Sequence, residues 1–179
     1  MAVAVTGTPG TGKSSAGAIL RSKGFEVIEI GDLAKGEDII CGFDAERDTF
    51  EVDLSRLDEV LRRKIQRENV VFIIGHLSHL IDPDLIDMII VLRCRPSTLG
   101  MRLRGLGWSE PKVRENMEAE ACDVILIESL ERSNEVYEID TTSRSPEEVA
   151  ACILEILAGE REKYAYGNID WSEEVLNWF

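Results

Sequence analysis

A short apolar run, Ala2–Val5, breaks into Gly7-Thr8-Pro9-Gly10-Thr11-Gly12-Lys13-Ser14 and gives way to helix-compatible sequence from Ser14 to Arg21. The break matches G-x-x-x-x-G-K-[ST] in the strand–loop–helix setting that this spacing requires. Glycines at these positions let consecutive backbone N–H groups turn inward. The helix that follows adds its positive dipole end and its unpaired first-turn N–H groups to the same space. The product is a cradle for phosphate oxygens, with Lys13 reaching the β- and γ-phosphates and the Ser14 hydroxyl available to Mg²⁺.

The rest of the chain repeats that unit. Apolar runs at Ala2–Val5, Phe25–Ile30, Val70–Ile74, Met88–Leu92 and Val136–Ile139 read as buried parallel strands. Helix patterns lie between them: Ser14–Ser22, Leu54–Arg67 with its Leu54/Leu57/Val60/Leu61/Ile65 stripe, Pro96–Leu106, a long segment from Pro111 to Glu131, and Pro146–Leu157. Ser145 is the expected N-cap of the last and Gly159 its stop. Alternating strands and helices imply a P-loop NTPase fold, a three-layer α/β/α arrangement around a mostly parallel five-stranded sheet. Ligands of such sheets sit at the carboxyl ends of the strands. Gly31-Asp32, Gly75-His76 and Arg93/Arg95 all follow strands in this way. Residues 160–179 read as a tail, polar and then aromatic, with a short helix from Ser172. Its aromatics (Tyr164, Tyr166, Trp171, Trp178, Phe179) are expected to serve mainly in packing.

Composition removes several classes. A net charge of −14 opposes sequence-independent binding to a nucleic-acid backbone and suits either solubility alone or a basic protein partner. Against that background Arg93, Arg95, Arg102, Arg104, Lys112 and Arg114 cluster, which marks a place for anionic ligands. No apolar run reaches the ~18 residues of a membrane span. A strand at the very start leaves no room for a signal peptide, and Cys41, Cys94, Cys122 and Cys152 form no C-x-x-C pair. A cytoplasmic protein without a disulfide framework or zinc site is the expectation. His76 and His79 lack carboxylates at metal-site spacing.

A phosphate loop alone does not select a reaction. The chain has no N-K-x-D stretch of the GTPase kind. Two spans, Asp32–Val52 and Leu106–Lys112, have the polar, glycine-containing character of covers that close over a transferring phosphoryl group. Asp32 can be read as a helix cap or a ligand, His76 as a strand-end structural group or a functional one. One of Arg93 and Arg95 is expected at phosphate.

Taken in order, these pieces resemble the adenylate kinase 6-type family, small nucleotide kinase/ATPases of archaea and eukaryotes linked to small ribosomal subunit maturation. Gly7 to Ser15 resembles its phosphate loop and Gly31-Asp32-Leu33-Ala34 its G-D-L-A. Gly75-His76 falls at its strand-three histidine and Val91-Leu92-Arg93-Cys94 resembles its V-L-R. Arg102-Leu103, Gly107-Trp108, Lys112-Val113, Glu115-Asn116 and Glu118-Ala119-Glu120 resemble its lid region. The resemblance implies one nucleoside monophosphate kinase-like domain over 1–179, with a monophosphate-binding segment at about 29–52 and a lid at about 105–115. It implies that ATP phosphates bind at Gly10, Gly12, Lys13, Ser14 and Ser15, and that Mg²⁺ binds at Ser14. Lys13, Asp32, His76 and Arg102 would form the catalytic set, with Arg102 the transition-state arginine. The implied reaction is ATP + AMP giving two ADP, with a slower ATPase and a role in rRNA maturation beside a basic small-subunit ribosomal protein.

Two positions depart from the family. Ile74 stands where it has a Walker-B-like carboxylate, for which Asp32 or Asp82 could substitute. Leu106 stands where its lid has an arginine, for which Arg104 could compensate. Both departures bear on rate more than on nucleotide binding. They keep open an ATP-switched assembly factor with little kinase activity, and a kinase for another monophosphate stays open because nothing in Asp32–Val52 encodes adenine.

Overall fold

The structure, a computed structural model, describes residues 1–44, 49–65, 68–176 and 178. Five strands form one parallel sheet: β1 (Ala2–Thr6), β2 (Glu26–Glu29), β5 (Val71–Ile74), β6 (Met88–Arg93) and β7 (Val136–Asp140), in the order β2-β5-β1-β6-β7. A separate antiparallel hairpin pairs β3 (Ile40–Asp44) with β4 (Thr49–Val52). The helices are α1 (Lys13–Ser22), α2 (Ile30–Gly36), α3 (Leu54–Lys64), α4 (Pro96–Gly105), α5 (Glu110–Ala121), α6 (Val124–Leu130), α7 (Pro146–Leu157) and α8 (Ser172–Leu176). Three parts of the sequence expectations lie outside the described residues: 45–48 of the monophosphate segment, 66–67 of the third helix, and Phe179.

The period-two alternation of the central strands explains the layers. Val3 and Val5 of β1 and Ile90 and Leu92 of β6 face the core shared with Leu20 of α1 and Ile153 and Ile156 of α7. Their neighbours face the other way. Ala2, Val71 and Ile73 meet Leu57 and Leu61 of α3, while Ala4, Ile89 and Val91 meet Leu126 of α6. Both faces of the sheet are covered, as continuous apolar strands require. The β7 edge is partly closed by a bridge from Tyr137 to Ala165 in the C-terminal segment.

Most expected boundaries hold within a residue or two. Ser145 caps α7 in a full capping box with Glu148, and Gly159 stands at φ 101° just beyond its end. The long segment 111–131 is corrected to two helices. Asp123 adopts a left-handed conformation between α5 and α6, which aspartate tolerates, and its carboxylate is held by Arg93. The span 32–52, read as a polar cover, carries α2 and the β3–β4 hairpin. Ile30 and Ala34 of α2 turn inward at helical spacing, whereas Phe43 and Phe50 stack on the hairpin's exposed side with ring centroids 5.3 Å apart.

All four cysteines are free, Cys94 and Cys152 buried and Cys41 and Cys122 exposed. Among the described residues no helix is long and apolar enough to cross a membrane.

Candidate functional site

β1 is the middle strand of the sheet, and the glycine loop leaves its carboxyl end for α1. Gly10 and Gly12 stand at φ 89° and 95°, a region that L side chains rarely adopt. At Gly10 there is no space either: a Cβ would lie 2.9 Å from Leu103 Cδ2 and 3.0 Å from Leu99 Cδ1 of α4. α1 has no side-chain cap and no acidic residue in its first turn, so its leading N–H groups face the loop without an internal acceptor. Ser14 and Ser15 are exposed beside them.

Lys13 arches back over the loop. Its ammonium donates to the carbonyls of Gly7 (2.6 Å) and Thr8 (2.9 Å). Burial pushes its pKa down to about 7, and the charge of Glu120 opposes that shift in part. Thr8 is a hub of the loop. Its carbonyl also accepts from the Thr11 backbone and hydroxyl, and its own hydroxyl donates to Glu120 Oε2 at 2.6 Å.

Just after β5, His76 is exposed and close enough to Lys13 to feel its charge. Desolvation of its ring by surrounding protein, then the Lys13 charge, then His79 hold its pKa down to about 4, so the imidazole is neutral at neutral pH. His79 is buried and structural. Its ring lies 2.9 Å from the Thr6 hydroxyl and 2.8 Å from Glu128, tying the end of β1 to α6.

Arg102 of α4 forms a wall of a cleft of about 220 Å³ beside the loop, lined also by Gly12, Ser15, Thr141, Arg144 and Val149. Its guanidinium donates to the carbonyls of Thr141 (2.7 Å), Thr142 (3.1 Å) and Gly10 (3.4 Å). Thr141 and Arg144, on the loop after β7, carried no signal in the sequence beyond following a strand.

Other expected members lie elsewhere. Arg104, read as a substitute for the family's lid arginine in ATP binding, forms a two-pronged ion pair with Glu110 (2.9 and 2.5 Å) across the turn from α4 to α5. The segment expected as a lid is that tight turn, with Leu106 exposed and Lys112 stacked 4.7 Å from the centre of the Trp108 ring. Arg93 is fully buried among Glu120, Asp123 and Glu138 and meets no open site; Arg95 pairs with Glu174 of α8 at the surface. Asp32 is exposed in the first turn of α2, where it makes no capping bond. Asp82 is occupied by Arg62 and by capping the Asp84 amide. Ile74 is buried in the core against α1. Among the described residues no cluster of three His, Cys, Asp or Glu side chains could hold a metal ion.

A glycine loop leaving the central strand of a parallel sheet for an uncapped helix is the P-loop NTPase fold. Solved structures share it. Shikimate kinase from Acinetobacter baumannii superposes with a TM-score of 0.60 at 16% identity, covering 90% of this chain and 94% of that one. The YorR protein of Bacillus subtilis, solved with phosphorylated GDP, gives 0.60 at 16% identity over 89% and 97%. A family model described as an AAA domain matches residues 3–123. Two archaeal proteins, each named "Putative adenylate kinase", align over nearly the whole length. The one from Archaeoglobus fulgidus is 47% identical, covering 98% of this chain and 94% of its own. The one from Methanocaldococcus jannaschii is 36% identical, covering 99% and 97%. The chain belongs to the family of these archaeal proteins.

Proposed function

We propose that this chain is a nucleotide kinase of the adenylate type, transferring the terminal phosphoryl group of ATP to AMP and yielding two ADP. The observation that carries the reading is the uncapped N-terminus of α1 behind a glycine loop, with Lys13 turned into the space that phosphates would fill. The names of the archaeal relatives support the same activity. ATP phosphates lie along Gly10, Gly12, Ser14 and Ser15, and the base and ribose enter the cleft between Arg102 and Arg144. Lys13 exchanges the Gly7 and Thr8 carbonyls for phosphate oxygens. The Ser14 hydroxyl would hold Mg²⁺, which would supply charge neutralisation during transfer.

The acceptor approaches from the side of α2 and the β3–β4 hairpin, where Asp32 is exposed. A phosphate oxygen of AMP attacks the γ-phosphorus in line, and the bond to the β-phosphate oxygen of ATP breaks. Neutral His76 borders this space and can orient the attacking group without adding charge. Arg102 shapes the donor cleft, so its contribution is to nucleotide position. Incubation of the chain with Mg-ATP and a panel of nucleoside monophosphates tests the reading through ADP formed. AMP-dependent ADP well above a Lys13→Ala control supports it, and none above that control refutes it.

A second reading draws on the net charge of −14 and on the apolar Ile74 at the strand-three position. As in the adenylate kinase 6-type resemblance, the chain would act in small-subunit maturation as an ATP-switched partner of a basic ribosomal protein, with slow ATPase turnover. Binding titrations with basic small-subunit ribosomal proteins at low salt, with and without ATP, test it. Nucleotide-independent or absent binding refutes the switch.

A further inference from the structure

Behind the phosphate loop lies a buried carboxylate that the phosphoryl-transfer chemistry does not use. Glu120, near the end of α5, is 3% exposed. Its Oε2 accepts the Thr8 hydroxyl at 2.6 Å. Its Oε1 accepts from Arg93 Nε (2.8 Å), the Cys94 backbone N–H (3.1 Å) and the Trp171 indole N–H (3.4 Å). Thr8 belongs to the loop, Cys94 to the end of β6, and Trp171 to the C-terminal segment. One side chain therefore ties the phosphate loop to elements far away in sequence.

The loop depends on this tie in two ways. The Thr8 carbonyl is the acceptor for both Thr11 and Lys13, so the orientation of residue 8 sets the curvature of the turn. The Thr8 hydroxyl is itself buried and has Glu120 as its acceptor. Hydrogen bonds to an ionised acceptor are stronger and more directional than neutral ones. Glu120 is also the carboxylate whose charge reaches the Lys13 ammonium. The C-terminal segment holds the other side of the arrangement. Asn168 and Ile169 donate their backbone N–H groups to Glu138 (2.9 and 3.0 Å), which shares Arg93 with Glu120.

We propose that Glu120 is a positioning residue for the phosphate loop, acting through the Thr8 hydroxyl, and that Trp171 of the C-terminal segment completes its support. This role rests on the reading that the loop holds nucleotide phosphates. In it, the tail is part of the nucleotide site although it touches no nucleotide.

The test is the dissociation constant for MgADP at 25 °C, measured by titration calorimetry together with each variant's melting temperature. Thr8→Val keeps the shape of residue 8 and removes the donor, and weakens binding roughly tenfold. Thr8→Ser restores the hydroxyl and brings binding back to within about twofold of the original chain. Trp171→Phe keeps an aromatic ring, removes the indole N–H, and weakens binding about threefold. Unchanged affinity in Thr8→Val, or equal weakness in Thr8→Ser and Thr8→Val, overturns the proposal. Should Thr8→Val fail to fold, Trp171→Phe decides, since unaltered affinity there overturns it. If the original chain binds MgADP no better than Lys13→Ala, the nucleotide reading itself falls and takes this role with it.

Discussion

Lys13 is a buried cation that, in the proposed function, an anion would meet. With a pKa of about 7 in the fold against 10.5 in a free chain, its neutral form is favoured by folding. The cost of burying the charged form is fully present below pH 7. It is relieved as pH rises from about 7 toward 10.5, so the ligand-free chain gains stability across that window. Phosphate oxygens reverse the preference by stabilising the ammonium. Binding of MgADP at pH 8 is therefore expected to take up close to one proton, and affinity to fall as pH rises above 7. Calorimetry in buffers of different ionisation enthalpy reads this directly, and binding without proton uptake at pH 8 would contradict it. Ile74 is a residue of the opposite kind. It stands where a carboxylate was expected, but its side chain packs in the core, and the ideal Cβ of Gly17 on α1 would meet its Cδ1. Ile74→Asp is expected to cost about 2–5 kcal/mol by lost packing and a buried charge, against about 1 for Ile74→Val. Urea titration separates the two.

At the scale of elements, the capping box of α7 predicts a modest, local penalty. Ser145→Ala should lower stability by about 1 kcal/mol, while Ser145→Asp should leave it nearly unchanged, both measured by urea unfolding. A loss below about 0.3 kcal/mol in the alanine variant would mean that packing alone sets this helix start. The same helix shows what is legible in a sequence. Ser145, Pro146 and Gly159 are local signals, and α7 starts and stops where they put it. So are the glycines of the loop and the apolar strands, which together fix the sheet and the phosphate cradle. The division between α5 and α6 was not legible, because Asp123 turns the chain under the pull of Arg93, distant in sequence. The hairpin β3–β4 was missed because its sequence looks like a polar cover, and Phe43 and Phe50 stack on an exposed face rather than a core. Lys13 and Ser14, named from the motif, stand at the start of α1, and Arg102, named from the order of the pieces, lines the cleft beside the loop. The pairing of Arg104 with Glu110 and the role of Thr141 as a cleft wall depend on tertiary approach alone. The sequence showed a cluster of arginines but not which of them had internal partners.

Across the whole molecule the largest such partnership is Arg93. Either it or Arg95 was expected at phosphate, yet its guanidinium is 2% exposed and serves Glu120 (2.8 Å), Glu138 (3.0 Å) and Asp123. Its Cζ lies 6.0 Å from the centre of the Trp171 ring. The five groups come from β6, α5, β7, the α5–α6 turn and the C-terminal segment, so the network joins the sheet to the helical side that carries α4 and α5. Removing the cation leaves two carboxylates buried without their partner, and that loss exceeds the value of the pair itself. Arg93→Met keeps most of the volume and is expected to destabilise the chain by about 3–5 kcal/mol. Asp123 is the outermost member, with its side chain 41% exposed, and Asp123→Asn should cost under about 1 kcal/mol. Adding Glu138→Gln to Arg93→Met should recover part of the loss, because it removes one of the stranded charges. Equilibrium unfolding of the three variants measures this ordering. If Arg93→Met costs no more than Asp123→Asn, Arg93 does not carry the connection between the sheet and the C-terminal segment, and the tail is held by its other ties, such as the Asn168 and Ile169 bonds to Glu138 and the Tyr137–Ala165 bridge.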